Sequence, residues 1–237
     1  MRRILNRLAA AAAALALCAC QSVQTTKSGA VGVDRSQSML VSSAEIEQAS
    51  AQQYQQVLAE AKEKKALNRD AAQLKRVRAV ADRLIPQTAV FRPDAAKWQW
   101  EVNVLESDQL NAWCMAGGKI AFYSGLIEKL ELTDAEIAAI MGHEIAHALR
   151  EHARERVSRS MATGMVVGAA SAILGVGQVG SDLMGQVAKV TFELPNSRLH
   201  ETEADRIGVE LAARGGYDPY AAVGLWKKMA AVSQGSP

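Results

Sequence analysis

The stretch "IMGHEIAHALREH", residues 140–152, sets three of the chain's four histidines within ten positions. On a helix, residues four apart lie on one face, offset by about 40°. His143 and His147 are so spaced, and both can present a ring nitrogen to one ion. Glu144 lies about 100° round from His143, close enough to reach a water on that ion without binding the ion itself. This is the HExxH arrangement. Two imidazoles leave a zinc ion short of ligands, and a water in the open position has its pKa lowered to about 7. Glu144 is then placed to take that water's proton as it attacks a peptide carbonyl. His152 falls about 180° from His143 and about 140° from His147 on the same helix, so it is expected to face away as a bystander. The variant in which a later histidine binds needs HExxHxxGxxH. Arg150 and Ala153 stand where that pattern wants Gly and His.

The third ligand must come from elsewhere, and "HETEAD" (200–205) offers it. Glu201 and Asp205 are four apart on one helical face; Glu203 lies about 200° round from Glu201 and reads as a solvated charge. Glu201 can complete a His₂Glu set, and Asp205 can hydrogen-bond a ligand histidine. His200 is the competing ligand from this segment, though its side chain is directed about 100° away from that of Glu201. Arg198 is placed either to stabilise an oxyanion or to make a structural ion pair.

The rest of the chain fits around this centre. At 237 residues, 49% hydrophobic and 22% charged, it is long enough for one sizeable domain with appendages. Scarce aromatics and abundant Ala, Leu and Val favour a mainly helical core. "MRRILNRLAAAAAALALCAC" carries a basic start and a short apolar run, the pattern of a secretory signal peptide over residues 1–19. It ends Leu17-Cys18-Ala19-Cys20, a spacing that resembles a bacterial lipobox with Cys20 as the lipid-bearing residue. Gln21 and Ser22 follow the cysteine, as in outer-membrane rather than inner-membrane lipoproteins. Without residues 1–19, Lys plus Arg falls from 27 to 24 against 25 Asp plus Glu, a balance near −1. That excludes a nucleic-acid role founded on basic charge. Cys18 is lost with the signal and Cys20 is modified, so Cys114 has no partner for an internal disulfide and reads as a small buried side chain.

Residues 20–42, rich in Ser, Gln, Thr and Gly, read as a lipidated N-terminus and tether ahead of a domain over 43–237. Helices are expected over about 43–67 and 70–84, the second stopped by Pro86. "WQWEVNVL" (98–105) alternates as a strand, and "LNAWCMAGGKIAFYSGL" reads as two strands meeting at Gly117-Gly118. Thr133-Asp134-Ala135-Glu136 is a capping box, opening a helix expected to run unbroken through "AEIAAIMGHEIAHALREHARERVSRS". Further helices follow at "SRLHETEADRIGVELAARGG" and after Asp218-Pro219. The uncharged run 161–181 is long enough to span a membrane, but a single span would part His143 and His147 from Glu201. It reads as a Gly-rich lid or a buried hairpin.

"HEIAH" with "SRLHETEAD" resembles the gluzincin peptidases of the HtpX, BepA and LoiP type. "NAWCMAGGKIAFYSGLI" and "GYDPYAAVGLWKKM" look like the same family, a likeness covering roughly residues 30–232, with LoiP-like outer-membrane lipoproteins the nearest analogy. The resemblance implies an α+β, mainly helical zincin-like fold, with a small active-site β-sheet beside the HExxH helix. It implies one zinc ion per chain on His143, His147 and Glu201, with Glu144 as general base and Asp205 as orienter. It also implies that Asn111, Ala112, Trp113, Cys114 and Met115 form an edge strand pairing with extended substrate. Ala116 departs from the family, which usually has Pro there. The expected function is an endopeptidase for misfolded or misassembled envelope proteins, facing the periplasm from the outer membrane. A client-binding assembly factor with a latent protease site and a closed structural zinc are the competing readings.

Overall fold

The computed structural model describes residues 21–174 and 183–234. Where a loose tether was expected, the chain instead makes two short antiparallel strands, β1 (Gln21–Val23) and β2 (Gln37–Met39). This segment packs onto the body: Thr26 and Val33 of the connecting loop, Gln37 and Met39 of β2, and Val41 after it are all buried. Lys27 N–H donates to Phe91 O at 2.8 Å and Val31 N–H to Glu210 Oε2 at 3.1 Å. Polar composition suggested a linker, but these polar groups find protein partners.

Helix α1 (Ser43–Glu63) opens on a capping box at Ser42 and Glu45, and α2 (Ala71–Leu84) on Asp70, whose carboxylate accepts from Ala72 and Gln73 N–H. Pro86 turns the end of α2 into the first of two 3-10 turns, Ile85–Val90 and Pro93–Lys97. Then come β3 (Glu101–Leu105), β4 (Ala112–Met115) and β5 (Lys119–Tyr123), in sheet order β3-β5-β4, with β3 parallel and β4 antiparallel to β5. The β4–β5 turn closes when Gly118 N–H meets Met115 O at 3.2 Å, leaving Ala116 second and Gly117 (φ +77°) third. Pro is favoured at that second place and Gly at that third, so Ala116 keeps the turn and forgoes only its stiffening.

Helices α3 (Ser124–Lys129), α4 (Asp134–Leu149), α5 (His152–Leu174), α6 (Leu183–Phe192), α7 (Arg198–Arg214) and α8 (Ala221–Gln234) complete the described residues. The fold is α+β and mainly helical, and α4 runs through its centre. Ile137, Met141, Ile145 and Leu149 are fully buried there, in one cluster with Leu84 of α2, Ile120 and Phe122 of β5, and Ile207 and Leu211 of α7. Thr133 caps α4 through Glu136 N–H, and the Glu136 carboxylate accepts from Thr133 N–H at 2.8 Å. Thr133→Ala is expected to cost about 1 kcal/mol of stability in denaturant unfolding; an unchanged midpoint would remove the capping box from this account.

The helix expected to continue past Arg150 does not. Glu151 takes φ +52°, a left-handed backbone that ends α4 and sets α5 off in a new direction. Such a conformation costs about 1–2 kcal/mol for a residue with a Cβ. Three contacts to its carboxylate offset that cost, from Ser43 Oγ (2.6 Å), Arg92 Nη1 (2.7 Å) and Arg154 Nη1 (2.5 Å). Among the described residues no helix is long and apolar enough to cross a membrane. The signal peptide, Cys18 and Cys20 lie outside the described residues, as does the part of the lid or hairpin expected at 161–181 that follows Leu174; residues 161–174 belong to α5.

Candidate metal centre

Helices α4 and α7 cross where each carries a glycine. A Cβ on Gly142 would sit 2.6 Å from Gly208 O, and one on Gly208 would sit 2.6 Å from His143 N. Only two residues without side chains let the backbones meet this closely. The crossing lies one residue from His143 and three from Asp205, so it sets how far α7's acidic face stands from α4's histidines.

At that crossing His143, His147 and Glu201 bring three ligand atoms within 4.8 Å of one another. His143 Nε2 and His147 Nε2 are 3.0 Å apart, and the Glu201 carboxylate lies 3.4 and 3.5 Å from them. Asp205 Oδ1 stands 2.8 Å from His143 Nδ1, behind the ring. The donor set of two imidazoles and one carboxylate is one that zinc takes. The electrostatics agree with a cation here. Burial works against a charged His143, yet Asp205 and Glu201 hold its imidazole up at about 10. Hydrogen bonding to His143 in turn lowers the Glu201 carboxyl, against its burial.

Glu144 is next to this cluster, and burial pushes its carboxyl up to about 7. It lines two cavities. One is apolar, walled by Leu110, Asn111 and Ala112 on the β4 side and by Leu225, Trp226 and Met229 of α8. The other carries Trp113, Cys114 and Ala116 together with His147, Arg156 and Asn196. Strand β4 thus passes Glu144 from one cavity to the other, at the end of the sheet order. Burial pushes the Cys114 thiol well up, which suits a packing role and not a nucleophile.

The chain's similarities follow this geometry. The model of peptidase family M48 matches residues 71–234, most of the chain. The chain belongs to peptidase family M48. Relatives include the mitochondrial metalloendopeptidase OMA1 of Arabidopsis thaliana, 34% identical over 130 residues, which are 55% of this chain and 26% of that protein. The metalloprotease LoiP of Escherichia coli is 31% identical over 133 residues, 56% of this chain and 52% of its own length. The beta-barrel assembly-enhancing protease of Yersinia pestis is 28% identical over 152 residues, 60% and 30% of the two chains. The chain therefore spans from about a quarter to about half the length of these M48 relatives. The metalloendopeptidase character expected from the HExxH stretch agrees with the M48 membership and with the relatives' names.

Two residues stand otherwise than expected. His152 does not face away: the break at Glu151 resets the helical phase, and its Nδ1 lies 2.8 Å from His147 Nδ1. Glu203 is no solvated charge but 5% exposed. Arg35 Nε (2.8 Å), Arg150 Nη2 (3.3 Å) and His152 Nε2 (3.0 Å) converge on it. Burial opposes a charged Glu203, yet these partners hold its carboxyl down at about 2. His200, the competing ligand, is buried elsewhere, stacked on His152 with ring centroids 4.2 Å apart and its Nε2 3.2 Å from Glu155 Oε2. Arg198 opens α7 with an exposed side chain. Arg156 lines the second cavity together with Arg92 and Arg154, and donates to Val190 O and Leu194 O at 2.7 Å and to Asn196 Oδ1 at 2.8 Å. No sequence pattern singled it out, because its role depends on a fold-back forty residues later.

Proposed function

We propose that this chain is a zinc-dependent endopeptidase, with the metal held by His143, His147 and Glu201. The observation that carries this is the convergence of those three ligand atoms beside a half-buried carboxylate that borders two cavities. Bound zinc would supply a Lewis acid that polarises a peptide carbonyl and acidifies a water. Glu144 acts as general base, accepting a proton from the attacking water and passing it to the leaving amine nitrogen. Asp205 keeps His143 in the tautomer whose Nε2 carries the lone pair. An extended polypeptide lies along Asn111–Met115, adding a strand to β4, with side chains on either side of the cleaved bond entering the two cavities. Arg198 keeps its place as a candidate for transition-state or structural support.

The natural substrates follow as misfolded or misassembled cell-envelope polypeptides, met at the outer membrane by a chain anchored through lipid on Cys20. The lipobox-like Leu17-Cys18-Ala19-Cys20 and the likeness to LoiP support this placement.

The purified protein should carry one zinc per chain, lose cleavage of an unfolded casein-like substrate to a chelator, and regain it with added zinc. Glu201→Ala should lose both metal and cleavage while circular dichroism stays near that of the parent. Cleavage that persists in metal-free protein would sink the assignment.

A further inference from the structure

The two histidine ligands are supported differently. Each directs Nε2 at the other across 3.0 Å. A neutral imidazole that offers Nε2 as a lone pair carries its proton on Nδ1. For His143 that N–H meets a carboxylate directly, Asp205 Oδ1 at 2.8 Å. For His147 it meets a third imidazole, His152 Nδ1, at 2.8 Å. His152 must then accept on Nδ1 and carry its proton on Nε2, which points at Glu203 Oε2, 3.0 Å away. Every atom in this chain has one compatible role, donor or acceptor.

Its far end is firmly held. Arg35 grips Glu203 through Nε and Nη2, at 2.8 and 3.2 Å, and Glu155 through Nη1 and Nη2, both at 2.8 Å. Arg150, with no solvent exposure, approaches Glu203 from the other side at 3.3 Å. Arg35 and Arg150 thus face two buried carboxylates, with the exposed Arg159 Nη2 3.5 Å from Glu155 at the rim, so neither carboxylate is left unpaired in a place where an unpaired charge would be costly. His200 stacks on the His152 ring at 11° and limits its rotation.

We propose that His152 and Glu203 are positioning residues for the metal centre, orienting His147 through the chain His147 Nδ1–H, His152, Glu203, with Arg35 of the N-terminal segment as its anchor. The carboxylate that orients one ligand directly is set one imidazole further back for the other. The proposal rests on the zinc reading above, and zinc affinity tests it apart from catalysis.

The experiment is chelator competition for zinc on the full chain, with thermal unfolding of each variant alongside. His152→Leu fills the space but neither accepts nor donates, and should bind zinc about 10–100-fold more weakly. His152→Gln offers a carbonyl to His147 and an amide N–H to Glu203, and should recover most of the loss. A role in packing alone predicts the reverse order, since leucine suits a buried apolar volume better than an amide. Arg35→Gln, at a partly exposed position, should weaken zinc a few-fold. Parent-like zinc affinity in a folded His152→Leu overturns the proposal. If that variant does not fold, Arg35→Gln decides: parent-like affinity overturns the relay and weakened affinity upholds it. A parent protein that binds no zinc defeats the metal reading, and the relay with it.

Discussion

Glu144→Gln is expected to leave the chain folded and zinc-loaded while peptide hydrolysis falls by about 10²–10⁴-fold. Glutamine keeps the volume and one carbonyl oxygen of the glutamate but cannot take a proton from water. Glu144 donates nothing to the His143–His147–Glu201 cluster, so the metal should stay. Glu144 is half-buried, and an amide there costs no more to desolvate than a carboxylate. The loss should fall on kcat with KM little changed, the mark of a group acting only in the transition state. The competing reading, an assembly factor with a latent protease site, makes the opposite forecast in cells. There Glu144→Gln would replace the parent fully in a deletion strain. Cleavage at the parental rate would remove Glu144 from the mechanism altogether.

What could be read from the sequence, and what could not, divides at Glu151. His143, Glu144 and His147 sit inside one uninterrupted helix, and Glu201 and Asp205 inside another. Helical spacing therefore placed each pair correctly on its own face. His152 was misjudged by the same arithmetic because the helix stops between His147 and His152, and a positive φ held by three side-chain contacts leaves no composition signal. Glu203 failed for another reason. A carboxylate about 200° from Glu201 faces solvent on an isolated helix, but here Arg35 arrives from 168 positions away. The loop ahead of α1 was misread likewise, since its polar residues looked like a linker until their partners were known. Caps, strands and the Gly117-Gly118 turn were legible because each is decided within a few residues.

Gly208→Ala is the second change with a large expected effect. Its new Cβ would meet His143 N at 2.6 Å and His143 Cα at 2.8 Å, both backbone atoms of α4. Neither can rotate away, so α4 and α7 must part. Overpacking of this kind costs about 1–3 kcal/mol. The functional loss should exceed what that destabilisation explains, because the movement separates Glu201 and Asp205 from the histidines. A displacement of about 1 Å at a catalytic site can cost about 10²-fold in rate. Zinc affinity and activity should therefore fall together at temperatures where the variant is still folded. Gly224→Ala in α8 serves as the control, since its Cβ has a nearest neighbour at 3.6 Å and should be harmless. Parental zinc binding and cleavage in Gly208→Ala would mean that the glycine crossing does not set the ligand spacing.

The hold of Arg35 on Glu203 also bears on when this site exists during folding. Residues 35 and 203 must close a loop of 168 positions before His152 is anchored, and Val31 and Glu210 one of 179. Contacts so distant along a chain form late, after local helices are in place, because the loop entropy is met before the contact repays it. The HExxH helix can thus assemble early from neighbouring residues, while the support behind His147 waits for the first and last parts of the chain to meet. A half-folded chain holds the motif without its brace, and so completion of the fold itself acts as the last condition for a fully formed site.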